Sequence, residues 1–529
     1  MKKLLYTLAG FGFILSSCAD DYLDTMPESS TATGTIVESA ANAKMAINGI
    51  CRMMSTQYLS SQGFNGEGTI KTWFGNYPGN DFQKTNLTGW APLTNSTYNE
   101  RNTATYCYYP WYYYYKIIVN ANAILVNMEN MTGSDSDKNF IKAQALTFRA
   151  YSYFMMSQLY CYRWVDSNNG ASRGLPLRLD LSTGDLPAST LGETYAQIYS
   201  DLNEAIAAFS ASSQKRDADD NYSPDLSVAY AIYARAALTR QDWSNAAKYA
   251  ALAREGYSLM SNEDYMNSGF NTPNDEWIWS VYDAGDQTIY YYSFFAYQGS
   301  DSSAGACRNY PCAISKELYD QIPETDVRRL MFAGPTEEEM QEKNAKGNYL
   351  ISRTNSHVTE GAFYKRIKQE YGDKIYSTSK VAAYMQFKHQ VKEQPGVGCV
   401  NNFRAAEMYL IEAEAKCMMG GSDTDVQNLL VALNAGSGRN PEYTCDKTGA
   451  DLLAEVKLYR RIELWGEGFD WFDYKRWNEP IVRKTYADGG SFHAQFAVTN
   501  QPQDNNKWTW VFPAKECDLN SSLSGQYKE

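Results

Sequence analysis

The stretch Leu226-Ser-Val-Ala-Tyr-Ala-Ile-Tyr-Ala-Arg-Ala-Ala-Leu-Thr239-Arg-Gln241-Asp-Trp243-Ser-Asn-Ala-Ala-Lys-Tyr-Ala-Ala-Leu-Ala-Arg254 decides the fold. Its first half, 226–239, is rich in alanine, the best helix former, and places apolar residues three or four apart. Gln241-Asp-Trp243 reads as a turn, and Ser244–Arg254 as a second helix that stops before Gly256 and Tyr257. Ala229, Ala236, Ala246 and Ala250 let the two backbones approach closely, while Tyr233, Trp243 and Tyr249 fill the spaces left over. Small and bulky residues at fixed places in paired helices are the logic of a tetratricopeptide unit.

Working outward, a second hairpin is predicted over Phe403–Met419 and Asp425–Leu433, separated by Gly420-Gly421. Met408, Ile411, Ala415 and Met418 form one stripe, with Leu410, Ala413 and Cys417 beside it, so this helix has a wide apolar face. Glu412 and Lys416 stand at pairing distance on the remaining side. Helical periodicity also predicts Ala40–Ser55, Trp111–Met128, Phe140–Tyr160, Leu191–Phe209 and Leu452–Leu464. Two segments interrupt the pattern. Residues 57–106 are punctuated by Gly63, Gly66, Gly68, Gly75, Gly79 and Gly89, and residues 262–395 are aromatic and loop-rich. The expected architecture is mainly α, a tetratricopeptide-like helical superhelix carrying a large irregular, loop-rich ligand-binding region.

The first residues set the compartment. Lys2 and Lys3 precede an apolar run, Leu4–Leu15, too short to span a bilayer, which reads as a secretory signal over 1–17. Leu15-Ser-Ser-Cys18 resembles the lipobox of bacterial lipoproteins, so Cys18 is the expected lipidation site and the only membrane attachment. Residues 18–38 then form a lipidated stalk, and 39–529 the body.

Composition narrows the chemistry. A hydrophobic share of 44% supplies a core, and 42 tyrosines with 12 tryptophans supply flat rings suited to wet interfaces and sugar faces. A net charge of −13 argues against nucleic acid, which needs an excess of cations. Removing Cys18 leaves nine cysteines, better read as scattered thiols than as a bridge framework, although Cys307 and Cys312 could close a small loop. His357, His389 and His493 are isolated, so no metal site is expected. Asp217-Ala-Asp-Asp-Asn221 lacks the glycine of a calcium loop, having Tyr222 at the sixth position, and reads as a polar loop. No cofactor is implied. Glu463, Glu467, Asp470 and Asp473 lie among tryptophans, which leaves a glycosidase acid pair open, but Arg460, Lys475 and Arg476 beside them fit structural pairing as well.

The motifs then converge. Arg460-Arg-Ile-Glu-Leu-Trp-Gly-Glu-Gly-Phe-Asp-Trp-Phe-Asp-Tyr-Lys-Arg-Trp477 closely resembles the signature of the SusD/RagB family, outer-membrane nutrient-binding lipoproteins of Bacteroidetes. Phe403-Arg-Ala-Ala-Glu-Met-Tyr-Leu-Ile-Glu-Ala-Glu-Ala415, Lys142-Ala-Gln-Ala-Leu-Thr-Phe-Arg-Ala-Tyr-Ser-Tyr-Phe154, Asp326-Val-Arg328 and Phe512-Pro-Ala-Lys-Glu516 resemble its companion motifs, in order. The resemblance implies a non-catalytic protein on the cell exterior. It implies a SusC-like, TonB-dependent outer-membrane transporter as partner, and an oligosaccharide or polysaccharide as ligand, captured and passed to that transporter. It also makes Glu463, Glu467 and Asp470 structural, and it carries no binding position over.

Ligand residues must therefore come from the chemistry of the irregular segments. Sugar rings need aromatic plates flanked by amides and charges, a mixture offered by Trp73, Asn76, Tyr77, Asp81 and Trp90 in the first excursion and by Tyr290, Tyr291, Tyr292 and Arg308 in the second. Trp73 and Trp90 are the preferred plates. A binder of peptides or another non-glycan nutrient, and a purely structural lipoprotein, are the alternatives.

Overall fold

In the computed structural model, the described residues are 37–59, 63–85, 89–282, 290–351 and 357–528, Tyr290 by its backbone alone. The signal segment, Cys18 and most of the stalk lie outside them. Where the sequence places hydroxyl or carboxylate caps, helices begin. Ser39 caps α1 (Ala40–Met53), Ser134 caps α3 (Asp135–Tyr160), and a reciprocal Thr190/Glu193 capping box opens α4 (Leu191–Ser212). Asp225 and Asp242 cap the two helices of the decisive hairpin, α5 (Leu226–Thr239) and α6 (Trp243–Ala253). Further on come α7 (Gly361–Glu370), α8 (Ala405–Met418), α9 (Asp423–Val431), α10 (Gly449–Glu463) and α11 (Asp470–Trp477).

One boundary departs from expectation for a clear reason. Helix α2 spans Thr105–Leu125, beginning six residues before Trp111 and running through Pro110. A proline inside a helix disrupts its hydrogen bonding. Here the Tyr160 hydroxyl inserts into the ladder, accepting from the Trp111 amide (3.1 Å) and donating to the Cys107 carbonyl (2.5 Å), and so carries the helix past the break.

The helices form a row in which each packs on the next: α2 on α3, α3 on α4, α4 on α5, α5 on α6, α6 on α8, and α8 on α9 and α10. Both predicted hairpins are thus antiparallel pairs within one helical body. The interlock is aromatic and ionic. Tyr233 of α5 stacks between Tyr199 (4.6 Å) and Tyr249 (4.0 Å) of its neighbours. Arg149 of α3 grips Asp201 of α4 through two bonds (2.8 and 2.6 Å) and donates to Asn122 of α2 (3.0 Å), tying three helices. Arg235 of α5 makes the same fork to Glu407 of α8 (2.7 Å twice), with its guanidinium 3.4 Å from the Phe403 ring centre. The expected Lys416–Glu412 pair is present at 2.8 Å.

Among the described residues four two-stranded antiparallel sheets lie beside this row: β1 (Phe82–Lys84) with β3 (Cys312–Ile314), β2 (Trp277–Val281) with β6 (Val400–Arg404), β4 (His357–Val358) with β5 (Val381–Ala382), and β7 (Ile481–Val482) with β8 (Thr499–Asn500). Strand β6 corrects the expected start of its helix, since Phe403 and Arg404 are extended and paired with β2, and α8 begins at Ala405. Among the described residues no helix is long and apolar enough to cross a membrane.

Candidate functional site

The Arg460–Trp477 segment builds a buried foundation. Arg404, 1% exposed, donates to Glu276 (2.7 Å), Glu463 (2.7 Å) and both oxygens of Glu467 (2.8 and 2.7 Å). Lys388 adds bonds to Glu467 (2.7 Å) and to the carbonyls of Glu463 and Trp465 (2.7 and 3.0 Å). Arg328, forked onto Asp326, holds the other Glu463 oxygen (2.8 Å), so the Asp326-Val-Arg328 motif and the family-like signature are one ion network. Burial alone would raise both glutamates. The guanidinium and ammonium charges outweigh it, holding Glu467 at about 2 and Glu463 well below the usual carboxylate range. Arg460 pairs with Asp473 (2.7 Å) and not with Glu463 one turn along.

Asp470 accepts from the amides of Asn80, Asp81 and Phe82 (2.9, 2.7 and 3.1 Å), and so carries the network into the first excursion. Burial, then the neighbouring Asp81 carboxylate, raises it to about 7. These acids are fixed by cations and amides inside the protein; none forms the open, water-separated pair that glycoside hydrolysis requires.

Above this foundation the two excursions are stitched together. Strands β1 and β3 pair Phe82 with Ile314, Gln83 with Ala313 and Lys84 with Cys312, joining segments some 230 residues apart. Lys84 is buried at the seam. Its ammonium donates to the carbonyls of Tyr297 (2.9 Å) and Tyr310 (2.8 Å) and lies 5.9 Å from the Trp90 ring centre and 5.7 Å from that of Tyr77. Half-buried Trp90 stands edge-on to Tyr297 (5.2 Å) and Tyr310 (6.5 Å). Tyr297 leads through Trp73 (5.5 Å) to Tyr106 (5.5 Å), which stacks with Tyr98 (5.4 Å), over whose face Arg101 lies at 4.8 Å. Trp90, Tyr310, Tyr106 and Tyr98 are each only partly buried, and they form an aromatic ledge along the seam.

The nine residues expected from sequence are distributed unevenly. Trp90 is on the ledge. Tyr292 is half-buried close to Tyr297, Tyr291 is 52% exposed, and Arg308 is half-buried two residues from Tyr310. The side chain of Tyr290 lies outside the described residues. Trp73, Asn76, Tyr77 and Asp81 are at most 2% exposed and offer no open face here. Trp73 sits in a π-helical turn (Ile70–Asn76), walled by Phe64, Tyr106 and Tyr297. Asn76 bridges the carbonyl of Gly466 (2.7 Å) and the amide of Gly468 (2.8 Å), and Asp81 is forked by Arg461 (2.7 and 2.8 Å). Tyr77 stacks on Phe82 (5.8 Å). These four hold the excursion to the body.

Two glycines make that fit possible. Gly63 has φ +87°, and a Cβ there would lie 2.4 Å from Trp73 and 2.5 Å from the Tyr297 hydroxyl; one on Gly75 would lie 2.1 Å from the Gly468 carbonyl. Sequence reasoning missed Lys84, Tyr98, Tyr106, Tyr297 and Tyr310. The nearest signal was the tyrosine density of 106–115, which the expected boundaries split between the end of the first excursion and a helix starting at Trp111.

Among the described residues no group of three or more His, Cys, Asp or Glu could hold a metal ion, and the nine described cysteines are unbridged. Asp220 spends its carboxylate on its own loop, accepting from the amides of Tyr222 (3.0 Å) and Ser223 (2.9 Å).

Fold and site together define a helical-repeat binding protein, with its polar chemistry locked inside and aromatic rings presented at the junction of two loop-rich excursions. The chain belongs to the SusD family: residues 231–523 match the model of that family, and residues 21–238 match one described as starch-binding associating with outer membrane. It is 21% identical over 500 residues to the SusD-like protein P38 of Formosa agariphila, covering 88% of this chain and 90% of that one. The fold is shared with a SusD-like carbohydrate binding protein from Bacteroides vulgatus (TM-score 0.73, 22% identity, 93% of this chain and 98% of that). It is shared as well with the surface glycan-binding protein A from Bacteroides thetaiotaomicron (TM-score 0.63, 16% identity, 92% and 98%). SusD-family proteins bind without catalysis, and this chain is a binding protein of that kind.

Proposed function

We propose that this protein is a cell-surface lipoprotein, anchored through Cys18 to the outer membrane, that captures a nutrient glycan on the Trp90 ledge and delivers it to a TonB-dependent SusC-like transporter. The observation that carries the reading is the ledge itself. A half-buried tryptophan is braced by Tyr297 and Tyr310 and backed by the Lys84 cation, and Arg308 stands two residues from Tyr310. Bracing matters because a plate already immobilised loses little side-chain entropy when a sugar stacks on it. The family's description, starch-binding and associated with the outer membrane, and the glycan-binding relatives support the same reading.

The test is a glycan array with residues 39–529, followed by calorimetry on the best ligand. Trp90→Ala is expected to weaken that ligand at least about tenfold, or 1.4 kcal/mol, with little change in Tm. Unchanged affinity would move the site off the ledge, and binding of peptides alone would replace the glycan. For the anchor, Cys18→Ala in the full chain is expected to shift the protein from the membrane pellet to the soluble fraction, since its acyl chains are the only attachment proposed. Retention in the pellet would refute lipidation there.

A further inference from the structure

Arg308 differs from every other arginine among the described residues. The rest are each held by a hydrogen bond, an ion pair or an aromatic ring: Arg149 and Arg235 by carboxylates, Arg178 by Ser182, Arg173 by backbone carbonyls, Arg101 by Tyr98. Arg308 is a half-buried residue whose guanidinium has none of these. A partly desolvated cation without a partner is costly to keep, and proteins ordinarily pair it. Its position is specific as well. Arg308 lies in the short helix Gly305–Asn309, two residues from Tyr310 of the ledge, and its carbonyl accepts from the amide of Lys380 (2.9 Å). Lys380 is exposed, and its ammonium has no hydrogen bond or ion pair among the described residues. His357, on the strand paired with that following Lys380, completes the neighbourhood, held below its usual pKa by burial and then by the Lys380 charge. The acid of the same segment, Asp301, is turned away to the Val391 amide (2.9 Å). Arg308 and Lys380 are therefore joined through their backbones next to Tyr310 of the ledge, and neither side chain has a carboxylate partner among the described residues, in a chain whose net charge is −13.

We propose that Arg308 and Lys380 form an anion subsite of the ledge, and that the glycan bound there carries acidic groups, either uronate carboxylates or sulfate esters. This rests on the ledge being the glycan face. The guanidinium presents parallel N–H donors that match the paired oxygens of either group, while Lys380 adds a mobile point charge. The protein's overall negative charge does not prevent this. At physiological ionic strength the screening length is about 8 Å, so an anion on the ledge responds mainly to the cations beside it.

The test uses polymers differing mainly in charge: polygalacturonate against its methyl ester, and carrageenan against agarose, by affinity electrophoresis and calorimetry of residues 39–529. Binding is expected to favour an acidic member over its neutral counterpart by about tenfold, to weaken with added salt, and to lose that preference in Arg308→Gln and Lys380→Gln. Preference within the pectic pair assigns a carboxylate, and preference within the galactan pair a sulfate ester. Both substitutions are at partly or fully exposed positions, so an unchanged Tm certifies the fold. Neutral polymers bound as well as acidic ones, or an acidic preference that survives both substitutions, would overturn the subsite. If Trp90→Ala still abolished that binding, the ledge itself would stand. No binding to any polymer here or to any glycan on the array would overturn both.

Discussion

Replacing Arg404 by methionine is expected to cost about 3–5 kcal/mol or more of folding free energy, because it leaves three carboxylates buried without their shared cation. Typical domains have only about 5–15 kcal/mol in total, so the variant should be recovered in low yield with a greatly lowered denaturant midpoint. The side chain is nearly isosteric in its aliphatic part, so loss of packing is minor; what is lost is the fork to Glu467 and the bonds to Glu276 and Glu463. Lys388 cannot take over, since its three donors are already committed to Glu467 and to the carbonyls of Glu463 and Trp465.

The same substitution should alter the acid limb of stability. Glu467 has an ordinary value of 4.5 and is held at about 2 in the folded protein. A depressed carboxylate contributes stability that is present above the unfolded value and lost as pH falls through the folded one. The wild type should therefore lose stability between about pH 4.5 and 2 through this group, and Arg404→Met should show a flatter profile over that window. Equal stability of the two proteins at pH 7, or parallel acid limbs, would show that the network contributes little.

How far the sequence reaches is set by the range of the interactions that decide each feature. Helices α4, α5 and α6 were legible because a 3.6-residue period, a capping residue and a stop lie within a few turns of one another. The start of α2 was not, because a helix normally ends at Pro110 and the hydroxyl that rescues it comes from Tyr160, fifty residues away. Phe403 reads as the first turn of a helix, yet its backbone belongs to β6, whose partner strand lies over 120 residues earlier. The structural role of Glu463 and Glu467 followed from neighbouring arginines, but their actual partners are Arg404, Arg328 and Lys388, which come from distant segments.

The ledge shows the same limit in its sharpest form. It exists only because β1 meets β3, and Lys84, a residue type that is usually exposed, is drawn to the centre of that seam. Trp73 and Trp90 have similar surroundings in sequence, each among glycines and polar residues. Pairing of the two excursions turns one inward and leaves the other at the surface.

That difference yields the second large effect. Trp73→Ala is expected to destabilise the protein by about 3–5 kcal/mol, as for a large aromatic removed from a core, while glycan affinity of the folded fraction stays within about twofold of wild type. The indole is 2% exposed and fills the space among Phe64, Tyr106 and Tyr297, which no neighbour can occupy without leaving its own ring contacts. Tyr297 stands between Trp73 and Trp90, so Trp73 reaches the principal plate only through an intermediate ring, touching the ledge otherwise at Tyr106. Trp73→Phe, which keeps most of the volume, should recover much of the stability. Chemical denaturation separates the two tryptophans cleanly, because Trp90→Ala should lower affinity at nearly constant midpoint and Trp73→Ala should lower the midpoint at nearly constant affinity. A Trp73→Ala protein of normal stability that no longer bound glycan would instead place its ring against the ligand, which would require the excursion to open on binding.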